Sequence, residues 1–116
     1  MPTTEVFCEF GFEAAHSLPQ VPAGHPCHRV HGHSYRVRVE VAGPIDPRLG
    51  WVVDFADLQA RWNTIHAELD HRLLNEIPGL ANPTCEALAG WIWERMPGLS
   101  GLEVRETPTT GCRLRS

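Results

Sequence analysis

The sequence predicts an α+β fold built on an antiparallel sheet, and three observations carry that expectation. Two long stretches alternate apolar and polar residues with a period of two, two later stretches repeat at helical spacing, and a short alternating pair closes the chain. Strands and helices are therefore grouped, whereas a parallel sheet interleaves them. One soluble domain over residues 1–116 is expected, because 42% of residues are hydrophobic and 21% charged. No apolar run approaches the roughly 20 residues of a membrane-spanning helix.

The elements follow in order. Val6, Cys8, Phe10, Phe12, Ala14 and His16 share one face, against Glu5, Glu9 and Glu13 on the other, which describes a half-buried strand. Ser17 to Val30 holds Pro19, Pro22, Gly24 and Pro26 and shows no period, so it reads as a constrained loop of a length that usually signals function. From His31 the alternation resumes, with His33, Tyr35, Val37, Val39 and Val41 on one face and Ser34, Arg36, Arg38 and Glu40 on the other. Gly43 to Pro47 is turn chemistry, and Trp51 to Phe55 is either a short strand or an extended entry into a helix. Phe55, Leu58, Trp62, Ile65 and Leu69 then keep helical spacing behind Asp54, an N-cap. A second helix starts at Asn82-Pro83-Thr84, carries Cys85, Leu88, Trp91 and Ile92 inward, and stops at Pro97-Gly98. Leu102, Val104 and Glu106 share a strand face, Pro108 to Gly111 turns the chain, and Cys112 and Leu114 complete a hairpin.

Composition excludes several chemistries. A net charge of −4 with no charge blocks offers no field to attract nucleic acid or an anionic membrane. All ten basic residues are Arg, so Schiff-base, pyridoxal-phosphate and P-loop chemistry all lack their lysine. Met1 to Glu5 carries acid and leads into no apolar stretch, so no secretory signal is expected and the expected location is cytoplasmic. Four cysteines without a C-x-x-C pair are expected as thiols and not as disulfides.

Histidine is what stands out. Five of the seven fall within eighteen positions, from His16 to His33. His31 and His33 project from one face of an extended chain, and antiparallel pairing of the two strands brings His16 beside them. Three imidazoles with an open fourth position describe a catalytic zinc; core histidines satisfied by hydrogen bonds, or solvated ones at a loop edge, are the other reading. Cys27, flanked by His28 and Arg29, is either a reactive thiolate or an inert small hydrophobe. Asp70-His71 ends the first helix as an oriented acid–base pair or as an ordinary helix cap. Glu106 is the one acid on the apolar face of its strand. It meets a ligand offering two parallel N–H donors, or it turns to solvent or to Arg113 or Arg115.

Together Phe12-Glu13-Ala14-Ala15-His16, Cys27-His28-Arg29-Val30-His31-Gly32-His33-Ser34-Tyr35, Trp51-Val52-Val53-Asp54-Phe55, Leu69-Asp70-His71, Asn82-Pro83-Thr84 and Val104-Arg105-Glu106 resemble, in order, the 6-pyruvoyl-tetrahydropterin synthase family over almost the whole chain. Only three residues separate Cys27 from the H-G-H motif, which resembles the bacterial 6-carboxy-5,6,7,8-tetrahydropterin synthase branch of the queuosine and deazapurine pathway. The resemblance implies a tunnelling fold: an antiparallel four-stranded sheet with two helices on one face, assembled into an oligomeric barrel, commonly a homohexamer, with active sites between subunits. It implies Zn2+ held by His16, His31 and His33, Cys27 as general base, Asp70 and His71 as relay partners from a neighbouring subunit, and Glu106 as pterin anchor. The implied reaction turns 7,8-dihydroneopterin triphosphate into 6-carboxytetrahydropterin with release of acetaldehyde and triphosphate. The rivals are a pyruvoyl-forming relative that eliminates triphosphate, and a non-catalytic metal- or pterin-binding oligomer. For the triphosphate the sequence points only to Arg29 and Arg72, neighbours of the implied catalytic positions.

Overall fold

A computed structural model describes residues 2–116; Met1, where the expectation about a leader begins, lies outside them. The described residues form a four-stranded antiparallel sheet in the order β1(Thr4–His16), β2(His31–Gly43), β3(Gly101–Thr107), β4(Thr110–Arg115), with α1(Phe55–Leu69) and α2(Cys85–Arg95) between β2 and β3. The α+β architecture is the one expected. β1 and β2 pair along their whole length, from Thr4 opposite Gly43 to His16 opposite His31, with both apolar sets on one face; a one-residue slip would turn one of them to solvent. β3 pairs only with Arg36–Glu40 of β2, so residues 31–35 are hydrogen-bonded to β1 alone. The long hairpin stretches the molecule to 57 Å along its main axis.

Both helices pack on the apolar face of the sheet. Leu58, Trp62, Ile65 and Leu69 of α1 and Leu88, Ala89, Trp91 and Ile92 of α2 are buried against Phe10, Phe12, Tyr35, Val37, Val39, Leu102 and Val104. Phe10 stacks on Trp62 at 5.1 Å between centroids and Phe12 on Tyr35 at 4.8 Å, which orders the aromatic half of this core. Each helix starts at a side-chain cap: Asp54 accepts from the N–H of Ala56 at 2.9 Å, and Thr84 from that of Ala87 at 3.0 Å. Gly98, with φ +94°, turns the chain after α2.

The opposite face is charged. Glu9, Arg38, Glu103 and Arg113 stand directly across from one another on the four strands, and Glu103 Oε2 accepts from Arg113 at 2.7 Å.

Of the two readings of Trp51–Phe55, the structure shows the entry into a helix and not the strand: Val53 reaches the core, Asp54 is the extended cap of α1, and Trp51 and Phe55 are exposed. One local expectation is corrected. The last turn is tighter than Pro108–Gly111, because β4 resumes at Thr110. Gly111 belongs to that strand, since a Cβ there would overlap the carbonyl oxygen of Val104. No helix among the described residues is long and apolar enough to cross a membrane, and the four cysteines are unbridged.

Candidate functional site

The register that buries the core also gathers the histidines. His16 ends β1 opposite His31, His33 stands opposite Ala14, and the three rings offer nitrogens that all lie within 4.8 Å of one another. His16 is 1% exposed, while His31 and His33 are half-buried. His16 Nδ1 lies 2.8 Å from the carbonyl oxygen of Pro83, just ahead of α2, and His31 Nδ1 2.8 Å from that of Arg29. A carbonyl only accepts, so both Nδ1 atoms carry the proton and both Nε2 atoms present lone pairs. Those two Nε2 atoms face each other at 3.0 Å. The Nε2 of His33 is buried with no hydrogen-bond partner among the described residues. Two facing acceptors and a third unpartnered ring nitrogen beside them are costly unless a cation sits between them, and around a tetrahedral zinc such nitrogens stand about 3.3 Å apart. The donor set therefore fits a metal ion with three protein ligands and one open position. Burial, first, holds the His33 imidazole below the ordinary histidine value; Glu106 opposes this, and His16 and His31 add to it. The reading of these residues as hydrogen-bonded core histidines accounts for His16 and His31 at Nδ1 and leaves every Nε2 unexplained.

Glu106 is the extra residue of a β-bulge: Arg105 pairs with Gly111 and Thr107 with Thr110, and Glu106 has no partner across the strand. Its side chain, 25% accessible, points to the site, with Oε2 3.8 Å from His33 Nε2. It accepts no hydrogen bond from the described residues, and the arginines that were to neutralise it are engaged elsewhere. Arg113 binds Glu103 at 2.7 Å, and Arg115 lies 3.9 Å from Glu40. A half-buried carboxylate is thus left open toward the three histidines.

Asp70 is the C-cap of α1, but its carboxylate is not merely solvated. Oδ1 accepts from the N–H of Glu13 at 2.9 Å, and Oδ2 accepts from His71 Nδ1 at 2.8 Å. These bonds, the Glu13 amide first, hold Asp70 below the usual carboxylate range. His71 itself adopts φ +59°, a region that costs a non-glycine residue. Its N–H donates to the Glu13 carbonyl at 2.6 Å, and its side chain is 77% accessible. A hollow of about 500 Å³ runs from His71 and Arg72 across Gly32 and Ser34 to His33. The larger hollow, about 690 Å³, lies on the charged outer face and is lined by none of the expected site residues.

Cys27 sits in a single 3-10 turn, Pro26–His28, on the loop that delivers β2. The turn is braced: the Cys27 N–H donates to His25 Nδ1 at 3.0 Å, and its carbonyl accepts from Leu18 at 2.8 Å. Its half-buried thiol has no hydrogen-bond partner among the described residues. Within one chain the structure unites His16, His31, His33 and Glu106, pairs Asp70 with His71, and joins Cys27 to neither group by a hydrogen bond.

Residues 5–116 match the 6-pyruvoyl tetrahydropterin synthase family. The chain belongs to this family. A 6-carboxy-5,6,7,8-tetrahydropterin synthase of Synechocystis sp. is 42% identical over 118 residues, covering 93% of this chain and 90% of its own. Its Bacillus subtilis namesake is 36% identical over 118 residues, covering 88% and 78%. The structure of Caenorhabditis elegans 6-pyruvoyl tetrahydropterin synthase matches with a TM-score of 0.88 at 26% identity, over 100% of this chain and 97% of that one. As a 6-pyruvoyl tetrahydropterin synthase family member the chain is an enzyme, a lyase like its synthase relatives. Three features of this member escaped the sequence. Tyr35, whose hydroxyl lies 3.3 Å from His16 Nδ1, shares parity with His31 and His33 and was readable as part of their face. His66, 3.7 Å from Asp70 Oδ2, precedes it by one helical turn and was readable too. The Pro83 carbonyl that orients His16 left no signal, since a main-chain acceptor has no side chain to betray it.

Proposed function

We propose that the chain is a zinc-dependent 6-carboxy-5,6,7,8-tetrahydropterin synthase. It converts 7,8-dihydroneopterin triphosphate to 6-carboxy-5,6,7,8-tetrahydropterin, releasing acetaldehyde and triphosphate, as a step toward queuosine and related 7-deazapurines in the cytoplasm. The observation that carries this reading is the open Glu106 carboxylate beside three converging imidazole nitrogens, in a chain 42% identical to a relative of that name.

His16, His31 and His33 would hold the zinc through Nε2, their orientation fixed on His16 and His31 by the carbonyls of Pro83 and Arg29. When bound, the ion supplies Lewis acidity toward the oxygens of the substrate side chain. Glu106 accepts the two parallel N–H bonds of the pterin's guanidine-like edge, and its burial keeps water from competing for them. Cys27, as thiolate, takes protons from the side chain, and His71 carries them at Nε2 while Asp70 fixes its Nδ1–H. No hydrogen bond joins Cys27 to His71 within one chain, and His71 is exposed. Both facts support an oligomeric barrel, a hexamer of single-domain subunits, in which His71 of one copy serves the Cys27 loop of the next.

Mass spectrometry of the products of zinc-loaded protein and dihydroneopterin triphosphate tests the proposal. Acetaldehyde with a carboxypterin is expected. A pyruvoyl pterin would assign the chain to the triphosphate-eliminating chemistry, and no turnover would leave a metal- or pterin-binding protein.

A further inference from the structure

Asp70 has a third partner that the acid–base pair alone does not require. One turn earlier on α1, His66 places Nε2 3.7 Å from Asp70 Oδ2, the same oxygen that accepts from His71 Nδ1 at 2.8 Å. The His66 ring is steered there by Trp62, against which it packs edge-on at 6.3 Å between centroids. The Glu13 amide fixes the other carboxylate oxygen at 2.9 Å, so Asp70 cannot swing from one histidine to the other and must serve both. Arg72 lines the same hollow as His71 and brings a fixed positive charge to that end of the pair. Asp70 and His71 lie at the end of the helix that carries His66, and Glu13, from the neighbouring β1, has its carboxylate turned away to Ser34 Oγ at 2.6 Å. The His66 side chain is 40% accessible.

We infer that His66 is a positioning residue that sets the acid limit of the reaction by competing with His71 for the charge of Asp70. The inference rests on the reading of His71 as a proton carrier. With His66 uncharged, Asp70 gives its whole field to the His71 ring and holds a proton there. With His66 protonated, that field is shared and a second positive charge stands across the same oxygen, so His71 releases its proton more readily. A base that must be empty to act then stays usable to lower pH. Two unit charges about 6 Å apart in a solvated setting alter such a proton equilibrium by about half a pH unit, and salt reduces the effect.

The test uses the metal-loaded full chain and two variants, His66→Gln, which removes the charge, and His66→Arg, which keeps it. The acid limb of kcat/KM is expected to move up by about half a pH unit in His66→Gln and to stay at or below its wild-type position in His66→Arg. At alkaline pH kcat is expected to stay within about twofold of wild type, which a merely structural role would not separate from the acid limb. In parallel, the His71 ring signals are followed by NMR against pH, a readout independent of turnover. Unmoved His71 signals in His66→Gln would overturn the coupling and leave the zinc lyase reading standing. Shifted signals with an unmoved acid limb would overturn the role of His66 in the reaction, together with the assignment of His71 as its proton carrier.

Discussion

Replacing Glu106 by Gln separates a pterin anchor from a bystander, because the side chain keeps its shape and loses only its charge and one acceptor. In the structure the carboxylate emerges from the bulge between Arg105 and Thr107, 25% accessible, with no hydrogen bond from the described residues and Oε2 3.8 Å from His33 Nε2. Nothing in the chain therefore has to be broken before a ligand binds, and nothing compensates when the ligand's partner is removed. Glu106→Gln turns one of two N–H···O bonds into an N–H facing an N–H and strips the other of charge assistance. Bonds to a charged group contribute about 1.5–3 kcal/mol each, so affinity is expected to fall by about 10- to 100-fold. Calorimetric titration of a non-reactive pterin into zinc-loaded wild type and variant measures this, with metal content and oligomer mass as controls. Equal dissociation constants at equal metal content would mean that the pterin does not meet Glu106.

Cys27→Ala is expected to keep metal and pterin bound and to lose turnover by about 10² to 10⁴, the range of a missing acid–base group; a near-normal rate would shift the role of base to another side chain. His71→Gly should remove most turnover yet raise stability by about 0.5–1 kcal/mol, since glycine adopts φ +59° without the cost a histidine bears there. Urea melts that show a less stable variant would contradict this. The His33 imidazole is depressed in the fold, so the unfolded chain takes up its proton first. Metal-free protein should therefore lose stability as pH falls from about 6.5, the penalty being complete below the folded value, and metal-loaded protein should release its metal as the pH falls through the same range. Denaturation midpoints from pH 8 to pH 5 check this, and His33→Asn should flatten the slope.

Much of this molecule was legible because its sheet is half-buried. The alternation that places Phe10, Phe12, Val37 and Val39 inward fixes which faces of β1 and β2 coincide, and the register in which they pair end to end brings His16 to His31. Parity also placed Glu106 correctly, although the bulge that aims it was invisible: a bulge is set by the pairing of Arg105 with Gly111 and Thr107 with Thr110, and pairing is not written in one strand. Trp51–Phe55 stayed open between a strand and an entry into a helix, because a short apolar run between a turn and a cap has strand composition, and only the fold shows that no neighbouring strand is there to join. The partners of Asp70 were hidden for a related reason, since the Glu13 amide lies 57 residues away and identifies itself only when α1 ends against β1.

The short reach of β3 has a consequence for how the enzyme comes apart. Beyond Arg36, β2 is a cantilever whose amides are shared with β1 only, and it carries His31 and His33. A metal bridging those rings to His16 would act there as a rivet between β1, which residues 71–73 brace on its other edge, and the end of β2 that β3 does not reach. Without the rivet, opening should begin at the site end of the hairpin, with amides 31–35 exchanging faster than those of Val37 and Val39, which lie deep in the pairing. Metal loss would then register first as local fraying of the catalytic end while the helix-backed half stays folded, and re-metallation would re-order the site without refolding the chain.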